Sequence, residues 1–388
     1  MYLNNIKMNN RKLNIIFIGR PSFPIGGAMT KRHKYYIDYL MNIPGVSICN
    51  ICTWNDGGQN KENGIYKDVV KYYNTQASKK ISSFFFISKW ANNILKQMYN
   101  DNYNNVVIFC SYLTMEQIPI FFAAKKLGYK IICDVVENYD ALGGDMSSSM
   151  KVSFMLSKLF FYKKVDGFVA ISHQIENAYK KYGKPILLLT NSAPIKSVSD
   201  KRKYNNPMQI VYTGTYASKD GLDFLVDGFE AFVDKKGNVA ELILIGKGKG
   251  NAKLEDKIKR NSKIKKMGFV SDDMLEKIQL SADILCMTRC NSEFANNGFP
   301  FKLSEYMATG NTVLATSVGD VPLYIENKKN GLLVKPNDAD AICDALIYAY
   351  EHQNECINMG KEGLNTIKKY FDVNINGNKL YQYIINLV

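Results

Sequence analysis

The residues best suited to chemistry lie together in the second half of the chain, in the segment Asn297-Gly-Phe-Pro-Phe-Lys-Leu-Ser-Glu-Tyr-Met-Ala-Thr-Gly310. Pro300 suits the first turn of a helix, where its missing N–H costs nothing, and Gly310 suits the end of that helix. The residues before Pro300 would then present backbone amides at the positive end of the helix dipole. That arrangement suits a diphosphate.

Two charged side chains of this segment extend the same interpretation. Glu305 lies one turn into the expected helix, and its carboxylate can accept hydrogen bonds from both hydroxyls of a ribose. Lys302 can meet the charge of a phosphate. Pro and Glu are also favoured near helix starts for local reasons, so the segment alone leaves a nucleotide site and an ordinary helix start as alternatives.

The elements that must position these residues follow a repeating pattern. Strand-length apolar runs alternate with helical patterns throughout, which predicts parallel sheets built from βαβ units. A polar segment at 193–206 is the best linker candidate, and the pattern restarts after it. We therefore expect two doubly wound α/β domains, at 1–195 and 207–365, facing each other across a cleft that could hold a ligand. A final helix over 366–388 is expected to cross back to the first domain.

Composition and length agree with a globular protein that works in a reducing compartment. A chain of 388 residues suits two domains, and no apolar run approaches the roughly 20 residues that span a bilayer. Eight cysteines are scattered without zinc spacing, which favours reduced thiols. We expect a cytoplasmic protein of bacterial origin, either soluble or attached to the inner face of the cell membrane.

Positive charge is concentrated in the first half of the chain. The net charge is +14; residues 1–200 carry 25 Lys/Arg against 13 Asp/Glu, and the remainder carries 25 against 23. An anionic partner and a simply well-solvated surface explain this equally well. No motif typical of nucleic-acid binding accompanies the charge, so a lipid surface or a phosphorylated acceptor is the better partner. The segment 150–164 mixes Phe and Leu with Lys, so it could touch lipid or pack inward.

Two further motifs suggest cofactors only superficially. Asp338-Ala-Asp340 looks like a metal-binding DxD pair, but its place before an expected helix favours capping. Gly246-Lys-Gly-Lys-Gly250 lacks the full GxGxxG pattern, and no acidic residue ends a second strand at the expected offset. We therefore expect neither a metal nor a cofactor.

The second half resembles the nucleotide-binding domain of the GT-B glycosyltransferases of family 4, the "group 1" type. Five segments carry the resemblance in the family's order, at 212–225, 242–248, 266–271, 315–322 and 330–334, together with the segment ending at Gly310. In the first half, 24–32 resembles the family's glycine loop, whose backbone approaches the donor phosphates. A Gly-Gly pair permits that approach because no Cβ intervenes.

The resemblance implies a retaining, metal-independent transfer of a sugar from a nucleoside-diphosphate sugar to a saccharide acceptor. A lipid-linked acceptor of surface-polysaccharide biosynthesis is the expected setting. An epimerase of the same fold and a non-catalytic sugar-nucleotide-binding protein are the alternatives. The donor-binding residues it implies are Glu305, Lys302, Gly298, Phe299, Pro300, Phe301, Gly26, Gly27, Gly214, Thr215, Gly268 and Phe269.

The chain departs from the family pattern at three places, and these supply the catalytic candidates. The first of the family's two glutamates is Asn297 here, which can bind a sugar hydroxyl but carries no charge. The family's Arg and Lys of the glycine turn align with Thr215 and Asp220, so Lys219, one residue away, is the expected substitute. The histidine that faces the sugar is missing. Glu137 lies in that region and is expected either to act as a base or to orient the sugar.

Overall fold

The computed structural model describes residues 12–20, 22–53, 62–75, 82–138, 148–196, 203–246, 248 and 251–388. The chain divides into two compact units. Unit 1 comprises Met1–Leu189 and Val373–Val388, and unit 2 comprises Thr190–Asp372. Both are parallel α/β units, as the alternating pattern predicts, whereas the expected cleft stays a prediction. None of the helices in the described ranges has the length and apolar character needed to span a bilayer.

Unit 1 is built on one large sheet. Its strands are β1 Leu13–Gly19, β2 Val46–Cys52, β3 Gly64–Tyr66, β4 Val70–Asn74, β5 Asn104–Cys110, β6 Lys130–Val135, β7 Gly167–Ala170 and β8 Ile186–Leu188. They lie in the order β3-β4-β2-β1-β5-β6-β7-β8, and only β3 and β4 pair antiparallel. All seven residues of β1 are buried, as expected for a parallel strand covered on both faces.

Helices cover both faces of this sheet. They are α1 Ala28–Leu40, α2 Ser82–Met98, α3 Ile118–Leu127, α4 Ser148–Leu156, α5 Tyr162–Lys164 and α6 His173–Tyr179, with a π-helical turn at Ser157–Phe161 between α4 and α5. Successive residues of a strand point to opposite faces, and β5 shows the two layers. Ile108 lies in the core beneath α1, whereas Phe109 packs against Phe121 of α3 and Phe161 of the π turn.

Unit 2 carries a smaller and entirely parallel sheet. Its strands are β9 Met208–Thr213, β10 Ala240–Ile245, β11 Ile264–Gly268, β12 Ile284–Met287, β13 Thr312–Thr316 and β14 Leu332–Val334, in the order β11-β10-β9-β12-β13-β14. Its helices are α7 Leu222–Lys236, α8 Ala252–Arg260, α9 Asp272–Ser281, α10 Glu293–Asn297, α11 Phe301–Met307, α12 Ala339–Glu351 and α13 Gln353–Thr366.

The last helix, α14 Val373–Leu387, returns to unit 1, as the sequence predicts. It packs against α1, and its Leu380 and Ile384 are buried in the core of unit 1. The prediction of one helix from 366 onward is wrong in its start. A π-helical turn at Ile367–Phe371 continues α13 within unit 2, and its two end residues are fully buried. The chain therefore leaves unit 2 seven residues later than expected.

Candidate functional site

Helix α11 presents the segment that the sequence singles out, with its start shifted by one residue. The helix begins at Phe301, so Pro300 is the N-cap residue and not part of the first turn. Its backbone is extended there, with ψ 114°, and no side chain caps the helix. Leu303 and Tyr306 are fully buried, as expected for the apolar face. Glu305, one turn in, and Phe301 are half-buried.

The residues directly before α11, at 298–300, are buried, whereas a ligand-binding loop is expected to be accessible. The ring of Phe299 packs against Tyr324 and Phe371, with centroids 5.3 and 5.8 Å apart. The Phe299 ring therefore serves the core of unit 2, and of our predicted donor contacts at Gly298 and Phe299 only the backbone groups fit. Asn297 ends α10, where its side-chain amide donates to the carbonyl of Glu293 at 2.7 Å.

Lys302 is held by a buried carboxylate of a different element. Its ammonium lies 3.1 Å from Oδ1 of Asp220 and donates to the hydroxyl of Tyr212 at 3.0 Å. It also lies 4.4 Å from the centre of the Tyr212 ring. Asp220 is 4% exposed. Burial lowers the pKa of Lys302, and the charge of Asp220 opposes that effect.

The turn after β9 completes this arrangement. Thr215 donates from Oγ1 to Oδ2 of Asp220 at 3.0 Å, so both carboxylate oxygens of Asp220 are engaged. Gly214 has φ +148°, and a Cβ on it would lie 2.5 Å from the ammonium of Lys302. A side chain at Gly214 would therefore displace Lys302. Asp220, at a position where the resemblance implies a basic residue, thus holds a lysine that comes from α11, and Thr215 holds Asp220.

Two more cations lie near Lys302. Lys219 has its ammonium 4.4 Å from the centre of the Phe294 ring, and Arg289 donates from Nη1 to the carbonyl of Ala295 at 3.2 Å. Both act on Lys302 electrostatically and contribute to the lowering of its pKa that burial begins. Lys302, which is bonded to Asp220, thus lies within electrostatic range of two further cations, Lys219 and Arg289. Such a grouping suits an anionic ligand.

Arg289 was missed by sequence reasoning, although the strand order explains its position. After β9 the chain adds β10 and β11 on one side of it and then β12, β13 and β14 on the other side. The strand order therefore reverses beside β9, which makes this a switch point of the sheet. Ligands of parallel α/β sheets bind at the carboxyl ends of the strands beside such a point. Gly214 and Thr215 follow β9, and Arg289 follows β12 by two residues. The sequence signal was therefore a basic residue just beyond a buried strand.

Gly268 and Phe269, predicted to lie near the donor, lie at the end of β11, which is separated from β9 by β10. Gly268 is the last residue of β11, and Phe269 follows it. Gly268 has φ +70°, a left-handed conformation that favours glycine. A Cβ there would meet nothing within 4 Å. Phe269 is 64% exposed, which is unusual for a large ring. An exposed ring beside an open glycine suits stacking with a flat ligand.

In unit 1, the predicted glycine loop leads directly into α1. Gly27 is the N-cap residue of that helix, no side chain caps it, and a Cβ on Gly27 would meet nothing within 4 Å. A Cβ on Gly26 would lie 2.1 Å from Oγ1 of Thr30, so close packing against Thr30 also requires glycine at this position. The amides at the start of α1 are therefore approachable beside Gly27.

A buried ion pair ties α1 to the end of β6. Arg32 donates from Nε and Nη2 to the two oxygens of Asp134, each at 2.9 Å, and from Nη2 to the carbonyl of Leu189 at 2.9 Å. Burial opposes the charge of Arg32, but Asp134 raises the pKa of Arg32 above its ordinary value. The pair fixes the glycine loop relative to the segment that carries Glu137.

Glu137 lies two residues beyond β6, at the carboxyl edge of the sheet of unit 1. Burial raises the pKa of Tyr112, and the charges of Glu116 and Glu137 add to the rise while Arg20 opposes it. The guanidinium of Arg20 lies 5.8 Å from the centre of the Tyr112 ring. Glu137 therefore lies near Tyr112, which in turn lies beside Arg20, and neither residue was singled out from the sequence. Arg20 and Tyr112 each follow the end of a central strand.

The DxD-like pair is a helix cap, as predicted. Asp338 is the N-cap residue of α12 and accepts from the amide of Ala341 at 2.9 Å. Within the described ranges, His, Cys, Asp and Glu side chains form no group of three or more that could hold a metal ion.

Comparisons with known proteins find a family match within the second unit. Residues 207–352 match the family described as "Glycosyl transferases group 1". An uncharacterised glycosyltransferase of Methanocaldococcus jannaschii is 27% identical over 136 residues, which are 34% of this chain and 33% of that protein. Trehalose phosphorylase of Grifola frondosa is 25% identical over 160 residues, or 37% of this chain and 22% of the enzyme. The match thus spans a third or less of these curated relatives.

Solved structures resemble this chain in fold over most of its length. Sucrose-phosphate synthase of Thermosynechococcus elongatus superposes with a TM-score of 0.76 and 14% identity, over 97% of this chain and 99% of the enzyme. HepE of Anabaena, in complex with UDP and glucose, gives 0.69 and 15%, over 96% and 100%. At these identities the likeness concerns the fold.

Proposed function

Because residues 207–352 belong to the group 1 glycosyltransferases and the chain has their GT-B fold, we propose that this protein transfers a sugar from a nucleoside-diphosphate sugar to a saccharide acceptor. The cationic group of Lys302, Lys219 and Arg289 at the switch point of unit 2 carries the proposal. A diphosphate has the negative charge that suits this cationic group. HepE has been solved with UDP and with UDP-glucose, which supports a donor of this kind.

Each predicted contact has a role in donor binding. Lys302, oriented by Asp220, binds the diphosphate, together with the amides at the start of α11. Glu305 accepts hydrogen bonds from the ribose hydroxyls. The base lies against the end of β11, where Gly268 leaves space and the ring of Phe269 is exposed. Each group contacts a different part of the donor, so the contributions can be separated by experiment.

The chemical step follows from where charge develops. As the bond between the sugar and the diphosphate breaks, the leaving group gains negative charge, and fixed cations stabilise it without reorganising. We propose transfer with retention, in which an oxygen of the departing diphosphate accepts the proton of the incoming hydroxyl on the same face of the sugar. The cations take the place of a metal ion in this scheme. Glu137 orients the sugar or its acceptor, and Asn297 offers a neutral hydrogen-bonding group to the sugar.

We further propose that the acceptor is a lipid-linked saccharide of surface-polysaccharide biosynthesis. The basic first half of the chain suits the phosphates of such a molecule. TarM of S. aureus has been solved with fondaparinux and UDP, so a protein with a comparable fold binds a saccharide and a nucleotide together.

The test measures release of nucleoside diphosphate from a panel of sugar nucleotides, with and without a bacterial lipid extract. Release that depends on the extract, with the sugar recovered on lipid, supports the proposal. A sugar inverted at C2 without any acceptor indicates an epimerase, and binding without turnover indicates a sugar-nucleotide-binding protein. Either of these two results would overturn the proposal of sugar transfer. The variant Lys335→Ala, at an exposed position of unit 2, serves as a control that should behave as the natural protein.

A further inference from the structure

Six large apolar side chains of unit 1 are exposed on the outer sides of three helical segments. Large rings are seldom left in water on a soluble protein without a function, and contiguous apolar patches usually mark interaction sites. We call this surface the apolar helical face. Its members and their exposed fractions are Phe85 82%, Phe86 61%, Phe122 48%, Val152 43%, Met155 51% and Leu159 59%.

The three segments form one continuous surface. The rings of Phe122, on α3, and Phe160, in the π turn, stack with centroids 5.8 Å apart. The loop that enters α3 is tied to both neighbours: Ser88 of α2 donates to the carbonyl of Glu116 at 2.7 Å, and Ser157 accepts from the amide of Leu113 at 3.0 Å. The apolar helical face therefore belongs to a single layer on one side of the sheet.

These exposed side chains are additional to the core and are not part of it. Phe121, Phe154 and Phe161 of the same segments point inward and are at most 6% exposed. The segment 150–164 thus both packs inward and presents apolar side chains outward, the two alternatives that its composition allows. One set of apolar residues fills the core, and Val152, Met155 and Leu159 face outward. A partner must account for the outward set.

The charge around this face identifies the partner. The segments of the three helices contain eight lysines and no aspartate or glutamate, namely Lys89, Lys96, Lys125, Lys126, Lys151, Lys158, Lys163 and Lys164. Lys125 pairs with Asp166 at 3.0 Å. Lys158 and Lys164 lie 5.0 and 5.9 Å from the ring centres of Phe154 and Phe122, so their stems run beside apolar surface. A cationic rim around exposed rings complements a surface that is apolar inside and anionic outside.

We propose that the apolar helical face seats unit 1 on an anionic lipid bilayer. Phe85, Phe86 and Leu159 enter the boundary between headgroups and acyl chains, and the lysines meet the lipid phosphates. A second copy of this chain would have to offer acidic residues to the same lysines, whereas an anionic bilayer presents negatively charged headgroups over its whole surface. The seat itself needs neither a donor nor turnover. It adds to the proposed function the place where a lipid-linked acceptor is met.

Vesicle flotation tests the seat directly. The full-length protein is mixed with vesicles of phosphatidylcholine alone or of phosphatidylcholine with phosphatidylglycerol, and the bound fraction is measured against lipid concentration. We expect binding to the anionic vesicles that is at least roughly tenfold stronger and that falls as salt is raised, since about five lysines contribute at the headgroups. Equal binding to both vesicles, or none, would overturn the proposal.

Two double variants separate the apolar and charged contributions. Phe85→Ser/Phe86→Ser should weaken binding to anionic vesicles at least about tenfold by removing buried apolar area, and Lys163→Gln/Lys164→Gln should do so about tenfold. Controls in unit 2 are Leu323→Ser, at an apolar position that is 59% exposed, and Lys253→Gln/Lys259→Gln, at two exposed lysines. Unchanged vesicle binding in both double variants would contradict the assignment.

The same variants distinguish the bilayer from self-association. If the natural protein forms dimers that Phe85→Ser/Phe86→Ser dissociates, and neither protein floats with vesicles, the face is a contact between copies and the proposal is wrong. Donor binding, measured without lipid, should be the same in all variants. Failure of vesicle binding therefore counts against the seat alone, and failure of acceptor-dependent turnover counts against the proposed function.

Discussion

At the scale of single residues, the candidate donor site contains a lysine that is positioned by a carboxylate from a different element. The sequence has Thr215 and Asp220 where the resemblance leads one to expect Arg and Lys, which suggests a weakened phosphate site. The structure shows that Asp220 instead positions Lys302, 82 residues further along the chain. Both positions were singled out from the sequence, but only the three-dimensional fold shows that they are partners.

The roles of Lys302 and Glu305 predict different losses of binding. Lys302→Ala should weaken both UDP and inorganic pyrophosphate about 10- to 100-fold, since a hydrogen bond to a charged group contributes about 1.5–3 kcal/mol. Glu305→Ala should weaken UDP by a similar factor and leave pyrophosphate unchanged, because only UDP has a ribose. Calorimetric titration of the two ligands measures both. An equal loss of pyrophosphate binding in Glu305→Ala would contradict the ribose assignment.

The position of Asp220 predicts a change in pH dependence. Asp220 raises the pKa of Lys302 against the lowering caused by burial and by the neighbouring cations. In Asp220→Asn that opposition is lost, so the pKa of Lys302 falls further and the ammonium loses its proton at a lower pH. Pyrophosphate affinity should therefore decline at a lower pH on the alkaline side than in the natural protein. Affinity at neutral pH, measured in the same titrations, shows whether the variant still folds. A profile that does not move would mean that Asp220 has no influence on Lys302.

At the scale of elements, the sequence was most informative where strands are buried and helices carry clear end signals. The apolar runs at 13–19, 209–212, 242–245, 284–287 and 312–315 predict strands. The observed strands β1, β9, β10, β12 and β13 begin and end within two residues of these runs. The hairpin β3–β4 was not predicted, because its side chains are mostly half-buried or exposed and lack a regular apolar pattern. The final helical region was predicted as one helix, since neither Ile367 nor Phe371 signals a break.

Helix α12 allows the capping role of Asp338 to be tested. Asp338→Ala should lower the stability of unit 2 by about 1 kcal/mol, because the amide of Ala341 loses its acceptor. Asp338→Asn should retain most of that stability, since an amide oxygen also caps. Asp340→Ala, in the first turn, is the control and should cost only a few tenths of a kcal/mol. Chemical denaturation followed by circular dichroism measures all three. Equal losses in Asp338→Asn and Asp338→Ala would speak against the cap.

At the scale of the whole molecule, chain order and spatial order differ most at the C-terminus. α14 is separated from the rest of unit 1 by the whole of unit 2, yet it packs on α1. This return of the final helix was expected from the sequence. The amphipathic pattern of α14 alone does not show which apolar surface of which unit the helix covers. The apolar helical face could not be predicted from the sequence for a similar reason. The sheet beneath segment 150–164 decides which of its side chains point outward.

The return of α14 predicts that its core contacts stabilise unit 1 and leave unit 2 unaffected. Leu380 is 1% exposed in the core of unit 1, so Leu380→Ala should cost that unit about 2–5 kcal/mol through lost burial and the cavity left behind. Both tryptophans of the chain, at 54 and 90, lie in the first half, so their fluorescence reports the unfolding of unit 1. Ile375→Ala, at a 40% exposed position of the same helix, should cost less than about 1 kcal/mol. Pyrophosphate binding by unit 2 should be retained in both variants. If the fluorescence midpoint of Leu380→Ala stayed at that of the natural protein, the helix would contribute no stability to unit 1.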